Sequence, residues 1–447
     1  MNFVKKKIIL SIFYLRKIFS KLFGIYLRYR RFTLCAILLI TILFVFNGQT
    51  LHKGQFYLGL FISANVRSVQ PLQCASDNYQ PEWPHSVNVQ NKSDYNLTVV
   101  IVTARPEFKR LPATVAALLC HLDSRRIAEV MFLVPPKDVS LLEPYLSKEQ
   151  AKQWPWPVSL ISDDTLLKHQ YTMSYRLQMM FKLFIAQIVQ TEYYLILDSD
   201  CLALWPIHAE QLLYKNETSS IFRAAFQVEG NTGHAKWWSE SEELLQIKLE
   251  SCVKANTSSI PAMGVTPSIL SRTIALRTLC RLQKLYGETF LTIMAKWYYW
   301  RLLFGRMWTE YTLYFLTARC TNIFDLYHFH HSSLPSSSTV PVLNLYGLSI
   351  WGLSDWTTKN QNHLVEAINK GLKWRRKEME EYNGQGIIDK TTNIHSLFTV
   401  LQGRHQVDPK LYHELFYPLY IEYLQKQKQT EKLLHILNNM VKTLIVE

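Results

Sequence analysis

The sequence contains no Cys-X-X-Cys pair and no cysteine–histidine spacing of the kind that holds zinc, so a zinc module is not expected. It has no internal repeat, and no low-complexity run beyond Ser332–Ser338, which excludes a solenoid. Residues 1–31 hold nine Lys or Arg and no acidic residue at all. Removing those nine from the net charge of +14 leaves +5 for the other 416 residues. That is too little for a basic face, so nucleic acid is not an expected partner. Beyond Asp200 the aspartates Asp325, Asp355, Asp389 and Asp408 stand isolated, so no second pair of aspartates follows. Charged residues make up only 19% of the chain and hydrophobic ones 48%. That is ample material for a core and excludes a disordered protein.

What the sequence does have is centred on Tyr193-Tyr194-Leu195-Ile196-Leu197-Asp198-Ser199-Asp200. The apolar and aromatic run reads as a buried strand. Asp198 and Asp200 then stand at its C-terminal end, where open α/β sheets deliver ligand-binding groups. Two adjacent carboxylates repel each other unless a cation lies between them or one takes a proton. Oxygen ligands suit a hard divalent ion such as Mg²⁺ or Mn²⁺, which also bridges phosphate oxygens. The plain alternative is a polar turn after a strand, with Asp capping the next element.

At the N-terminus, Phe32–Phe46 is an uncharged apolar run that would span about 22 Å as a helix. The basic cluster lies entirely before it, which predicts a cytosolic N-terminus and a retained single-pass, type II anchor with the bulk lumenal. A cleaved signal peptide is the alternative, but Asn47-Gly48-Gln49 is a poor cleavage site. The run Ile8–Leu15 is too short to span and is expected along the cytosolic membrane surface. Four glycosylation sequons begin at Asn91, Asn96, Asn216 and Asn256, in line with a lumenal domain. Asn96 abuts a strand and is expected to stay unmodified. Cys74, Cys120, Cys201, Cys252, Cys280 and Cys320 are lumenal in this reading. Fifteen pairings are open if all six are bridged. The expected organisation is a cytosolic tail (1–31), an anchor (32–46), a stem (47–95), a catalytic domain (96–350) and a C-terminal helical extension (351–447).

Within the domain, strands are expected at 97–103, 130–134, 158–161 and 193–198, with helical patterns at 108–120 and 175–189. This order makes a mostly parallel α/β sheet flanked by helices. After Asp200, residues 221–228, 262–266 and 323–329 read as strands. Residues 239–249 and 310–316 read as helical, as does a stretch from Pro267 to Leu285 with Pro267 at the first helical position. From about Asp355 the chain reads as polar and helical, at 359–382, 410–426 and 430–445.

This order of features resembles a GT-A-type glycosyltransferase over residues 96–350. It looks most like a poorly characterised subfamily in which a Gln- and Lys-bearing helix, here Arg176-Leu177-Gln178 to Lys182, feeds the strand ending in Asp198-Ser199-Asp200. The likeness continues in Thr266-Pro267, Trp308-Thr309-Glu310-Tyr311 and His330-His331-Ser332. The resemblance implies a nucleotide-sugar donor, UDP- or GDP-linked, and a divalent metal, Mn²⁺ or Mg²⁺. It also implies a glycan, glycoprotein or glycolipid acceptor and a Golgi or ER membrane location with a lumenal catalytic domain. Asp200 would ligate the metal, and Asp198 would bind the metal or the donor's ribose. The metal would neutralise charge on the departing diphosphate.

Further candidates accompany these. His330, with His328 and His331 beside it, ends a late strand and is a candidate ligand; the alternative is a core or surface histidine. Glu310 is a candidate base for the acceptor hydroxyl, or a helix-surface acid. Arg105 and Lys182 are candidates for the diphosphate, or solvated cations. Asp163, before Asp164, is a candidate for ribose or nucleobase, or a turn cap. Trp237-Trp238 and Trp297–Trp300 either stack on sugar rings or belong to the core. Two other functions remain open. A haloacid dehalogenase-type phosphatase also carries Asp-X-Asp after a strand, but Leu202 fills a position where a small β-branched residue is expected. A non-catalytic lumenal lectin-like or scaffold protein would keep the fold without the chemistry.

Overall fold

Six consecutive buried residues, Leu97–Val102, form β1 and set the middle of a five-stranded sheet. The computed structural model describes residues 65–72, 74, 96–170, 174–215, 222–226, 228–229, 235–252, 262–296, 308–329, 342–344, 349, 356–383, 396–401, 409–427 and 431–446. The expected tail, the anchor, most of the stem, His330, His331, Trp297–Trp300 and the sequons at Asn91, Asn216 and Asn256 lie outside these residues. Among the described residues no helix is long and apolar enough to cross a membrane.

After β1 come α1 (Leu111–His121), β2 (Ile127–Val134), α2 (Pro136–Leu146), β3 (Val158–Ser162), α3 (Ser174–Phe184) and β4 (Tyr193–Asp198). Then follow β5 (Cys201–Ala203), β6 (Ser268–Ser271), α4 (Arg272–Tyr286), α5 (Glu310–Cys320), α6 (Thr358–Asn383), β7 (Ser396–Val400), α7 (Pro409–Lys426) and α8 (Glu431–Val441). The sheet runs in the order β6-β4-β1-β2-β3. β4, β1, β2 and β3 are parallel, and β6 is antiparallel to β4. The register sets Val102 opposite Asp198, so β1 and β4 end together.

Both faces of the sheet are covered, which is why its strands read as continuous apolar runs. Side chains alternate between faces. Val99, Ile101, Leu195 and Leu197 enter a core shared with α1, α7 and α8. Val100, Val102, Tyr194 and Ile196 enter a second core shared with α3, α4 and α5. The result is a mixed α/β fold with helices on both sides of a mostly parallel sheet.

Three expected elements differ. Pro267 does not begin a helix: the Thr266–Pro267 bond is cis and the chain continues into β6. The helix starts only at Arg272, where the Ser271 side chain caps it and the partly buried Glu192 carboxylate receives the Thr273 amide. Residues 323–329 are not one strand but a helical turn, Phe324–Tyr327, followed by the strand His328–Phe329. The region after 355 is not helical throughout. β7 lies within it, antiparallel to β5 and parallel to Val342–Asn344. α6 passes so close to β5 that a Cβ at Gly371 would lie 1.8 Å from the Leu204 carbonyl oxygen, so only glycine fits.

Four cysteines are paired, Cys74 with Cys280 and Cys252 with Cys320. Cys120 and Cys201 are buried free thiols. The full six-cysteine pairing therefore does not form.

Candidate functional site

β4 delivers Asp198 at the carboxyl edge of the sheet, where its side chain is 25% exposed. α3 runs down beneath this edge. Its Gln178 Nε2 donates to Asp198 Oδ1 at 2.9 Å, and its Lys182 Nζ donates to Asp198 Oδ2 at 3.1 Å. Lys182 is buried, with a 5% exposed side chain, and it makes two further contacts. It donates to Thr266 Oγ1 at 3.0 Å, and it pairs with Glu310 Oε1 at 3.1 Å. Thr266 in turn shares a 2.7 Å hydrogen bond with the Tyr311 hydroxyl. Arg176, earlier on α3, stacks over the Trp308 ring at 5.1 Å.

Residues far apart in the sequence thus converge on one ammonium group: the strand-end Asp198, Thr266 and Glu310, with the Tyr311 ring centre 5.5 Å away. Burial alone would lower the Lys182 pKa, but Asp198, Tyr311 and Glu310 reverse this, and it stands well above the ordinary value. Burial pushes the Glu310 carboxyl up, while Lys182 draws it down; the net direction is up.

The other acid, Asp200, is partly exposed in the turn after β4. Its backbone is fixed on both sides. The Thr114 hydroxyl of α1 donates to the Ser199 carbonyl at 2.7 Å, and the Leu401 amide donates to the Asp200 carbonyl at 2.9 Å.

The remaining candidates separate. Arg105 lies just past β1 on the same edge and is exposed, with its amide donating to Asp138 Oδ2 at 3.0 Å. Asp163 follows β3 on that edge, three strands from Asp198, so roughly 14 Å of sheet separates them. It is buried, with His169 Nε2 at 3.6 Å, and burial raises its carboxyl pKa. Glu310 does not face an open cleft: its side chain is 4% exposed and turned to Lys182. His328 is not a ligand. It is buried, its Nδ1–H donates to the Ala224 carbonyl at 3.3 Å, and its Nε2 accepts from the Tyr314 hydroxyl at 2.6 Å. Burial lowers its pKa to about 3, so the ring is neutral. Trp238 packs edge-on against Phe315 at 5.5 Å, as a core residue would. Asp325 is 75% exposed and paired with Arg319, not joined to a second acid.

Among the described residues no group of three His, Cys, Asp or Glu is arranged to enclose a metal. The acids present still fit a hard ion of the Mg²⁺ or Mn²⁺ type. Such ions keep several waters and are held by one or two carboxylates plus the substrate's own phosphates, not by a closed protein cage. Both Asp198 oxygens accept a hydrogen bond, from Gln178 and Lys182, and Asp200 lies partly exposed in the turn two residues on.

A family model described as "Family of unknown function (DUF6492)" matches residues 103–372, more than half of the chain. The chain belongs to DUF6492. The DUF6492 segment contains every part of the Lys182 cluster and ends inside α6, before β7. No curated protein matches in sequence. Among solved structures, the chain is similar to the glycosyltransferase GlyE of Streptococcus pneumoniae TIGR4, at 11% identity and a TM-score of 0.32 over 74% of this chain and 64% of GlyE. It is also similar to mouse xyloside xylosyltransferase 1, at 8% identity and 0.32 over 70% and 99%. The galactosyltransferase LgtC gives 9% identity and 0.32 over 72% and 95%. The chain thus spans less than two thirds of GlyE.

Proposed function

We propose that this DUF6492 protein is a metal-dependent glycosyltransferase, moving a sugar from a UDP- or GDP-linked donor to a hydroxyl of a glycan, glycoprotein or glycolipid. The observation that carries the reading is the convergence around Asp198 of Gln178, Lys182, Thr266 and Glu310 at the carboxyl edge of the parallel sheet. That edge is where nucleotides bind in such sheets.

In this reading Asp200 holds Mn²⁺ or Mg²⁺, with His330 as a further ligand. When bound, the ion supplies Lewis-acid neutralisation of the leaving diphosphate. Lys182 and Gln178 fix the Asp198 carboxylate so that it meets the donor's ribose hydroxyls without rearranging. Arg105 meets the diphosphate at the neighbouring strand end, and Asp163 serves the nucleoside side farther along the edge. Glu310 is assigned to holding Lys182. The base role expected from the sequence needs a carboxylate that an acceptor hydroxyl can reach, and this one is turned inward. The two disulfides fit an oxidising compartment. With the basic tail and the apolar run 32–46, they support a type II protein of the Golgi or ER membrane whose catalytic domain is lumenal.

The test is turnover of a panel of nucleotide sugars by the purified full chain with Mn²⁺. At least one donor should be consumed, and Asp200→Ala should reduce its turnover by roughly 10³-fold with the fold retained. If no donor is consumed and no nucleotide raises the melting temperature with Mn²⁺, the reading gives way to the non-catalytic lectin-like one.

A further inference from the structure

The backbone just beyond Asp200 is held from the far end of the chain. β7 lies antiparallel to β5, with Phe398 opposite Ala203, Thr399 opposite Leu202 and Val400 opposite Cys201. One residue further, the Leu401 amide donates to the Asp200 carbonyl at 2.9 Å, and the Leu204 amide donates to the Leu397 carbonyl at 2.8 Å. From α7, the Tyr420 hydroxyl donates to the Ala203 carbonyl at 2.8 Å. Leu397, Leu401 and Tyr420 are all fully buried. These three residues lie beyond the segment 103–372 that defines the family match.

Backbone N–H and C=O groups buried away from water need partners. The strand that carries the chain out of the Asp-X-Asp turn finds one set of them here. The turn is gripped between α1, through Thr114 and the Ser199 carbonyl, and β7, through Leu401 and the Asp200 carbonyl. We infer that the C-terminal strand is a working part of the Asp-X-Asp site and that Leu401 is a positioning residue for the Asp200 carboxylate. The inference rests on the metal role proposed for Asp200. A site with few protein ligands depends on each one standing within about 0.5 Å of its working place. Groups that orient such a ligand typically account for 10–100-fold in metal affinity.

Hydrogen exchange of the full chain with and without Mn²⁺ and UDP tests this directly. The expected result is slower exchange in peptides covering 193–204 and, together with them, in peptides covering 396–401. Protection at 193–204 with none at 396–401 overturns the inference and leaves the metal reading standing. Protection in neither overturns the metal reading, and the inference with it. Two variants sharpen the test through Mn²⁺ affinity, read by electron paramagnetic resonance of free Mn²⁺ with UDP present. Leu401→Pro removes the donated N–H and should weaken binding about 10–100-fold. Tyr420→Phe keeps shape and packing and should weaken it roughly threefold. If Leu401→Pro does not fold, Tyr420→Phe and the exchange pattern decide. Wild-type Mn²⁺ affinity in a folded variant of either kind overturns the inference.

Discussion

Two clusters in this molecule are built alike, each with a base between an Asp and a Glu. At the carboxyl edge of the sheet, Lys182 lies between Asp198 at 3.0 Å and Glu310 at 3.1 Å. At the opposite edge, His208 lies between Asp123 at 2.9 Å and Glu378 at 2.7 Å. The difference is in what surrounds them. The His208 cluster is completed by Arg125 on Asp123 and by Arg375 on Glu378, so three bases answer two acids. It joins the end of α1 to α6 and works as a staple. The Lys182 cluster has one lysine for two acids, and Asp200 adds a third carboxylate two residues along. The first arrangement is saturated with positive charge. The second sets a single lysine between the buried Glu310 and the partly exposed strand-end Asp198.

Breaking the Lys182 cluster should have the largest effect. Lys182→Met leaves Asp198 and Glu310 without their partner in a largely buried site. It should cost about 3–5 kcal/mol of stability and abolish donor turnover, as read by denaturant unfolding and by the donor assay. Wild-type stability in this variant would show that the two clusters are not equivalent in build.

The His208 staple should show itself through pH. Burial works to lower the His208 pKa, but Asp123 and Glu378 outweigh it and raise it to about 9, against an ordinary 6.5. A raised value means that the staple's contribution is full below about 6.5 and is lost as pH rises through 9. The contribution is worth about 3 kcal/mol at most. Melting temperatures from pH 6 to 10 should fall more steeply for wild type than for His208→Gln, and the two curves should converge near the top. Parallel curves across that window would refute the staple.

The smallest effect separates the two roles of Glu310. As the residue that holds Lys182, its replacement in Glu310→Gln should lower turnover less than about tenfold, because the amide oxygen still accepts from the ammonium. A loss of about 10²–10⁴ with stability unchanged would restore the base role.

Much of the sheet was legible because its central strands, β1 and β4, are buried on both faces, and local composition announces such runs. β1, β3 and β4 fall where the apolar runs predict them, and the Asp-X-Asp turn stands at the expected strand end. Lys182 was visible as a candidate, but its burial was not, since a lone lysine gives no local sign of the partners that will enclose it. β6 was hidden behind a proline that looks like a helix start. β7 was hidden in a polar, helix-rich stretch, because its partner β5 lies about 200 residues earlier. The Asp123–His208–Glu378 staple was illegible for the same reason: each residue is ordinary by itself, and only the fold brings them together.

The most direct test of the central claim is an anomalous difference map from crystals of the protein soaked with Mn²⁺ and UDP. The account predicts a peak at metal–oxygen distance, about 2.1 Å, from the Asp200 carboxylate at the carboxyl edge of the sheet. A map with no peak beside Asp200, while UDP is bound elsewhere or not at all, would contradict it.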